Sequence, residues 1–353
     1  VRPAVQEMSA YHVADASGMI KLDAMENPYP LPADLKQDWL ALLAQVEINR
    51  YPDPAANELK VELRRAFALP DTSGLMLGNG SDELIQILVQ ALGGHERTIL
   101  APEPSFVMYR LIAAMNGMRY VGVNLQDKNF ALDLPSLLRA IDKHQPALVF
   151  IANPNNPTGN IHSLHQLREL ADHCPGLLII DEAYAPFTDI TALSLVDEFA
   201  HVMVMRTVSK MGLAGLRLGY MIGNTQWIEQ LEKVRLPYNI NALTQVSAKF
   251  ALKHKSVLDE QARQICRDRE MLLQSLSDFT GVTAFSSQAN FILFRVIEGS
   301  GVSVFETLKS EGVLIKNLHG THPALSNCLR VTVGTPEENQ AFTKALQHAL
   351  SQS

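Results

Sequence analysis

Hydrophobic residues along this chain fall into two alternating patterns. The first is a set of short, unbroken apolar runs: Ala147-Leu148-Val149-Phe150-Ile151, Leu177-Leu178-Ile179-Ile180 and Val202-Met203-Val204-Met205. Runs of this length without polar interruption predict strands covered on both faces, as a parallel sheet requires. Leu75-Met76-Leu77, Thr98-Ile99-Leu100 and Val121-Gly122-Val123 predict further strands. Between the runs, apolar residues recur at helical spacing. Leu59, Leu63 and Phe67 share one face, Leu84, Ile85, Leu88, Val89 and Leu92 form another stripe, and a further helix is expected around His165 to His173. Strands alternating with helices predict an α/β fold with a mostly parallel central sheet and right-handed crossovers.

The pattern changes at both ends. Asn27-Pro28-Tyr29-Pro30-Leu31-Pro32 closes a segment expected to be an extended arm, and Asn49-Arg50-Tyr51-Pro52-Asp53-Pro54 is a second proline-punctuated loop. Beyond Gly219-Tyr220-Met221-Ile222-Gly223 a mostly helical stretch is expected to run to about Phe279. Ala289 to Phe294 and Leu329 to Val333 read as strands, and Thr335-Pro336-Glu337-Glu338 is a capping box that starts the last helix. The chain is therefore divided into an N-terminal arm (1–35), a large domain (36–250) and a smaller C-terminal α+β domain (251–353) completed by the arm. A length of 353 residues suits one large and one small domain.

Composition narrows the class. A net charge of −7 without a basic run argues against nucleic acid as a partner. No apolar run reaches the ~20 residues that span a bilayer. Val1 to Ala10 do not form a secretory leader, and the start at Val1 is expected from trimming. Cys174, Cys266 and Cys328 are far apart, odd in number and without metal-type spacing, so reduced thiols and a cytoplasmic setting are expected. No metal site is expected.

The candidate chemistry lies at strand ends. Asn153, Asp181 and Lys210 each follow a predicted strand directly, and ligands on open α/β sheets bind beyond the carboxyl ends of the strands. Lysine is a costly residue for the end of a buried strand unless its amine has a task. One task fits its neighbours: a Schiff base to pyridoxal 5′-phosphate, with Thr207, Ser209 and Arg217 around the phosphate. A surface lysine in a polar turn is the competing reading. Gly78-Asn79-Gly80-Ser81-Asp82-Glu83 runs into a helix, so Gly80, Ser81 and Asp82 present a helix N-terminus to the same anion, with Ser81 as N-cap; an ordinary capped helix explains them as well. Asp181 would keep the cofactor's ring nitrogen protonated, or else cap a helix. Tyr184 and Asn153 would bond its ring oxygen, and Phe106 or Tyr109 would stack on the ring. Arg330 is a candidate for a substrate anion, against a surface arginine on a strand.

Asn153-Pro154-Asn155-Asn156-Pro157-Thr158-Gly159, Asp181-Glu182-Ala183-Tyr184, Ser209-Lys210 and Gly215-Leu216-Arg217 together resemble the class II, fold-type I pyridoxal-phosphate aminotransferases in order and spacing. Leu22 to Pro30, Asn49 to Pro52 and Cys328 to Gly334 extend the resemblance over nearly the whole chain, toward the histidinol-phosphate aminotransferase branch. It implies a homodimer with sites at the interface and a ping-pong transfer from L-glutamate to imidazole acetol phosphate, giving L-histidinol phosphate and 2-oxoglutarate in histidine biosynthesis. By position, it implies Lys210 as the Schiff-base lysine, Asp181 as the ring-nitrogen partner, Asn153 and Tyr184 on the ring oxygen, and Phe106 as the stacking ring. It also implies Tyr51 reaching the neighbouring subunit's phosphate, and Tyr11, Arg330 and Lys316 as substrate-binding residues. Lys316 and Met25 stand where relatives often carry arginine and asparagine, and the Lys210–Arg217 segment is one residue short of the commonest pattern. An aromatic amino-acid aminotransferase, a threonine-phosphate decarboxylase and a cofactor-binding protein without turnover are the alternatives.

Overall fold

The computed structural model describes residues 1–10, 13–297 and 301–352. Its central sheet has seven strands in the order Gly74–Asn79, Leu218–Gly223, Val202–Thr207, Leu177–Asp181, Leu148–Ala152, Thr98–Glu103, Arg119–Asn124. Leu218–Gly223 runs antiparallel to both its neighbours, and the remaining pairings are parallel. The reversal has a local cause. The connection from Thr207 to Leu218 contains only two short 3₁₀ turns, too little for a crossover helix, so the chain folds back beside the strand it has just left. Lys210 thus stays at the sheet's edge rather than on a departing helix.

The unbroken apolar runs are buried along their full length. Alternate residues serve opposite faces. Val149, Ile151, Leu178 and Ile180 pack with Leu167 and Leu170 of helix Leu164–His173. Leu148, Phe150, Leu177 and Ile179 pack on the other side with Leu84 and Leu88 of helix Ser81–Leu92.

A second, antiparallel sheet has the order Lys316–Asn317, Cys328–Thr332, Phe291–Val296, Val282–Ala284. The arm packs on it: Ile20–Lys21 and Val313–Leu314 form a separate two-stranded parallel sheet, Leu22 is buried in this core, and Thr332 donates its N–H to the Leu22 carbonyl at 2.9 Å. Helix Lys255–Ser277 belongs to both cores. Leu258 packs in the large one and Ala262, Ile265, Leu272 and Leu276 in the small one. The fold is the α/β architecture expected from the pattern, with two local differences. The first 35 residues are not wholly extended, since Pro3–Gln6 and the start of helix Ala33–Leu43 are helical. Ser81 lies inside its helix, and Gly80 occupies the cap position with φ +84°, a conformation that glycine adopts without strain.

Candidate active site

Three parallel strands end side by side, with Ala152 opposite Asp181 and Asp181 opposite Met205. A cavity opens beyond them. The strand ends contribute Ala152, Asp181 and Thr207, and the loops that follow contribute Asn156, Tyr184, Ser209, Lys210 and Arg217. Ser81, Asp82, Phe106 and, from the arm, Met25 close it.

One wall combines a helix N-terminus, two hydroxyls and an arginine, groups whose chemistry suits an anion. The N-terminus of helix Ser81–Leu92 opens here, with its free N–H groups and positive dipole end. Thr207 Oγ1 and Ser209 Oγ lie 2.7 Å apart, and Thr207 Oγ1 also donates to the Leu218 carbonyl at 3.0 Å. Arg217 is held in the left-handed region at φ +50°, which turns its guanidinium back over the helix start, 3.5 Å from Asp82 Oδ2. A Cβ on Gly80 would lie 2.8 Å from Arg217 Nη2, a movable side-chain end, so it is the φ of +84° that favours glycine here.

Lys210, Asp181 and Tyr184 are perturbed in the cavity. Burial, assisted by the Arg330 charge, lowers the Lys210 ammonium to about 8. Its Nζ lies 3.5 Å from the Ala24 carbonyl and 5.7 Å from the centre of the Tyr184 ring. Burial raises Asp181 to about 6 against hydrogen bonds that act the other way. Those bonds come from the Tyr109 hydroxyl to Oδ2 at 2.6 Å and the Ala183 N–H to Oδ1 at 3.0 Å. Burial also raises the Tyr184 phenol.

The structure corrects two expectations. Asn153 does not reach the cavity. It is fully buried, its Oδ1 accepts the His162 N–H at 2.7 Å, and it closes the base of its loop. Asn156 faces the cavity instead: its Nδ2 donates to the Tyr184 hydroxyl at 3.1 Å and its Oδ1 accepts from Arg330. Both asparagines precede a proline, so spacing alone did not choose between them. Tyr109 is no stacking ring of the cavity. Phe106 lines it, and Tyr109 stands edge-on behind Phe106, with ring centres 5.6 Å apart. Tyr184 follows Asp181 in a turn before the 3₁₀ segment Ala185–Phe187, not on an α-helix.

A second chamber adjoins the first, sharing Met25, Phe106 and Asn156 with it. Arg330 and Lys316 both line this chamber and are cross-strand partners. Arg330 is buried, donates from Nη2 to the Asp23 carbonyl at 3.0 Å, and sits 5.1 Å from the centre of the Phe291 ring. Tyr51 is not at this cavity; it is 81% exposed and stacks on Tyr238, with ring centres 4.5 Å apart. Tyr11 lies outside the described residues. Among the described residues no cluster of three His, Cys, Asp or Glu could hold a metal ion.

Residues 17–346 match the sequence profile of the family described as aminotransferase class I and II. A protein named histidinol-phosphate aminotransferase 2, from Nitrosococcus oceani, is 54% identical over 98% of this chain and 96% of its own length. The histidinol-phosphate aminotransferase of Chromobacterium violaceum is 49% identical over 98% and 97%. Among solved structures, that of histidinol-phosphate aminotransferase from Sinorhizobium meliloti in complex with pyridoxal-5′-phosphate superposes with a TM-score of 0.89 at 23% identity, covering 100% of this chain and 98% of that one.

Proposed function

From the premise that this chain belongs to the class I and II aminotransferases, we infer that it transfers the amino group of L-glutamate to imidazole acetol phosphate, yielding L-histidinol phosphate and 2-oxoglutarate. The observation that carries this is the convergence of Lys210, Asp181, Tyr184, Asn156 and the anion wall on one cavity, in a chain so close to enzymes of that name.

Pyridoxal 5′-phosphate supplies an aldehyde that takes up the amino group and a protonated ring that accepts electrons from the substrate Cα. The residues fit it. Gly80 takes the cap position at φ +84°, which favours glycine, and the Ser81 N–H, the Thr207 and Ser209 hydroxyls and Arg217 would hold a phosphate beside it. Burial penalises the Asp181 carboxylate and raises it to about 6, and a ring N–H⁺ would be a partner that favours its ionised form. Phe106 would cover one face of the ring, and Tyr184 with Asn156 would donate to its oxygen. Lys210 would hold the cofactor's aldehyde carbon, and its amine, lowered in proton affinity by burial, would suit taking the proton from the substrate Cα. Arg330 and Lys316 would bind the carboxylate of one substrate and the phosphate of the other.

The same reading makes the protein a homodimer, supported by an exposed apolar group around Tyr51 that includes Ile48, Leu236 and Tyr238; Tyr51 would then serve the partner's phosphate. It divides the chain near residue 251, close to where helix Lys255–Ser277 passes between the two cores. It places the protein in the cytoplasm, which the three free cysteines support. No helix among the described residues is long and apolar enough to cross a membrane.

The test is a half-reaction. Protein loaded with pyridoxal phosphate is mixed with histidinol phosphate and no keto acid, and the cofactor is analysed after denaturation. Stoichiometric pyridoxamine phosphate is expected. Conversion with phenylalanine but not with histidinol phosphate would replace this reading by an aromatic aminotransferase, and release of carbon dioxide from phosphothreonine by a decarboxylase.

A further inference from the structure

Tyr109 takes part in the site from behind. It opens helix Met108–Asn116 three residues after Phe106, and the two rings stand nearly perpendicular at 86°. Phe106 therefore lines the cavity while Tyr109 passes under it into the core. There the Tyr109 ring is fully buried and stacks on Phe150, with centres 4.6 Å apart and planes at 12°. A phenol in that apolar layer needs a partner for its hydroxyl, and it has one in Asp181 Oδ2 at 2.6 Å. The other carboxylate oxygen is held by the Ala183 N–H at 3.0 Å. Each oxygen thus has one fixed donor and keeps a further acceptor direction, and Asp181 lines the cavity.

We propose that Tyr109 is a positioning residue: its hydroxyl clamps the Asp181 carboxylate in the one orientation that presents an oxygen to the cofactor's ring N–H. The inference rests on reading the cavity as a pyridoxal-phosphate site. It gives the buried phenol a task that stacking alone would not need, since phenylalanine fills the same layer. The electrostatics agree. The Tyr109 bond opposes the burial that would protonate Asp181. The phenol's own proton is held by burial and by Asp181, so the hydroxyl remains a donor.

The test is a double-mutant cycle on cofactor binding rather than turnover. Tyr109→Phe keeps the ring and its stack on Phe150, so the layer stays filled. Apo forms of the wild type, Tyr109→Phe, Asp181→Asn and the double variant are titrated with pyridoxal phosphate, and the thermal midpoint of each is recorded. Tyr109→Phe is expected to weaken binding about tenfold, the scale of one hydrogen bond to a charged group. In the Asp181→Asn background the same change should alter affinity less than about twofold. Equal losses in both backgrounds would make Tyr109 a packing residue and overturn the proposal. So would unchanged affinity in Tyr109→Phe when the wild type binds. A Tyr109→Phe chain that does not fold, beside a double variant that folds and binds like Asp181→Asn, would support the clamp, because only the single variant leaves a buried carboxylate short of a donor. A wild-type chain that takes up no pyridoxal phosphate would overturn the reading of the cavity itself.

Discussion

The two sides of the cavity are built differently. Asp181, Thr207 and Lys210 stand at or just past the ends of adjacent buried strands: Asp181 is paired with a strand on each side, Thr207 with one, and Lys210 follows in a short 3₁₀ turn. Their side chains are largely satisfied from within: Asp181 by Tyr109 and Ala183, Thr207 by Ser209 and Leu218. The opposite side is assembled from the arm and the C-terminal sheet. There two cations, Arg330 and Lys316, are cross-strand partners on neighbouring strands, and like charges placed directly opposite one another cost stability. The first side is ready for chemistry before anything binds. The second brings two cationic side chains to one chamber, with Arg330 held by Asn156 and the Asp23 carbonyl. Fixed groups on one side and positive charge on the other suit a site that is to perform a single reaction on two differently shaped anionic substrates.

The comparison breaks most sharply at Lys210. If Lys210 is the attachment point and the proton carrier proposed above, Lys210→Ala should lower transamination by about 10⁴-fold or more. Pyridoxal phosphate should still bind through the anion wall, recoverable by dialysis and without a covalent adduct to the protein in the mass spectrum. The fold should be unharmed, because alanine replaces an amine that burial disfavours as a cation, and the apo thermal midpoint is expected not to drop. Turnover at the normal rate would remove Lys210 from the mechanism.

Substitutions on the other side should act through binding. Arg330 is buried and Lys316 only partly so. Arg330→Ala should lower kcat/KM about a hundredfold for both glutamate and histidinol phosphate, the scale of removing one buried member of a charge pair. Lys316→Ala should cost about tenfold at most, since a half-exposed ammonium is screened and lacks arginine's fork. It should not lower the apo thermal midpoint, because it removes a like-charge neighbour. Steady-state kinetics with both substrates and a thermal melt decide this. Equal losses from the two substitutions would show that the cations act as one unit.

The same contrast explains how much was legible in the sequence. Runs such as Leu177-Leu178-Ile179-Ile180 are short and unbroken, which favours a doubly covered strand over a helix, and Asp181 at the end of such a run is conspicuous because burial makes an unpaired carboxylate expensive. Strand-end chemistry is therefore visible in one dimension. What was missed depends on how loops turn. Asn153 and Asn156 have the same chemistry, and only the folded loop shows that the first is consumed by the His162 backbone. Ser81 carries the usual N-cap signal, yet the backbone at Gly80 takes that place. Tyr109 looks like a second stacking ring until the 86° between it and Phe106 is known. The pairing of Lys316 with Arg330 joins residues fourteen apart through an antiparallel register that no local pattern announces.

The smallest predicted effect tests whether the two sides act on each other. An ordinary lysine amine has a pKa of 10.5, and burial first and Arg330 second bring Lys210 down to about 8. Arg217 pushes the same way, while Glu26 and Asp82 oppose it. The neutral amine is the nucleophile, and it is the form present above the pKa. Covalent uptake of pyridoxal phosphate by the apo-protein should therefore speed up as pH rises, by about tenfold from pH 7 to pH 9, and level off beyond. A rate that kept climbing toward pH 10 would mean that the amine titrates as an exposed lysine does. In Arg330→Ala one of the depressing charges is gone, so the midpoint should move to higher pH, with uptake at pH 7 slower than in the wild type. That shift is measurable by stopped-flow absorbance without any substrate. A midpoint that stays in place would show that the substrate-side cations leave the catalytic amine untouched. A midpoint that rises would show that Arg330 helps keep Lys210 reactive before a substrate arrives, and that an anion binding there would raise the amine's proton affinity just as it is asked to take a proton from Cα.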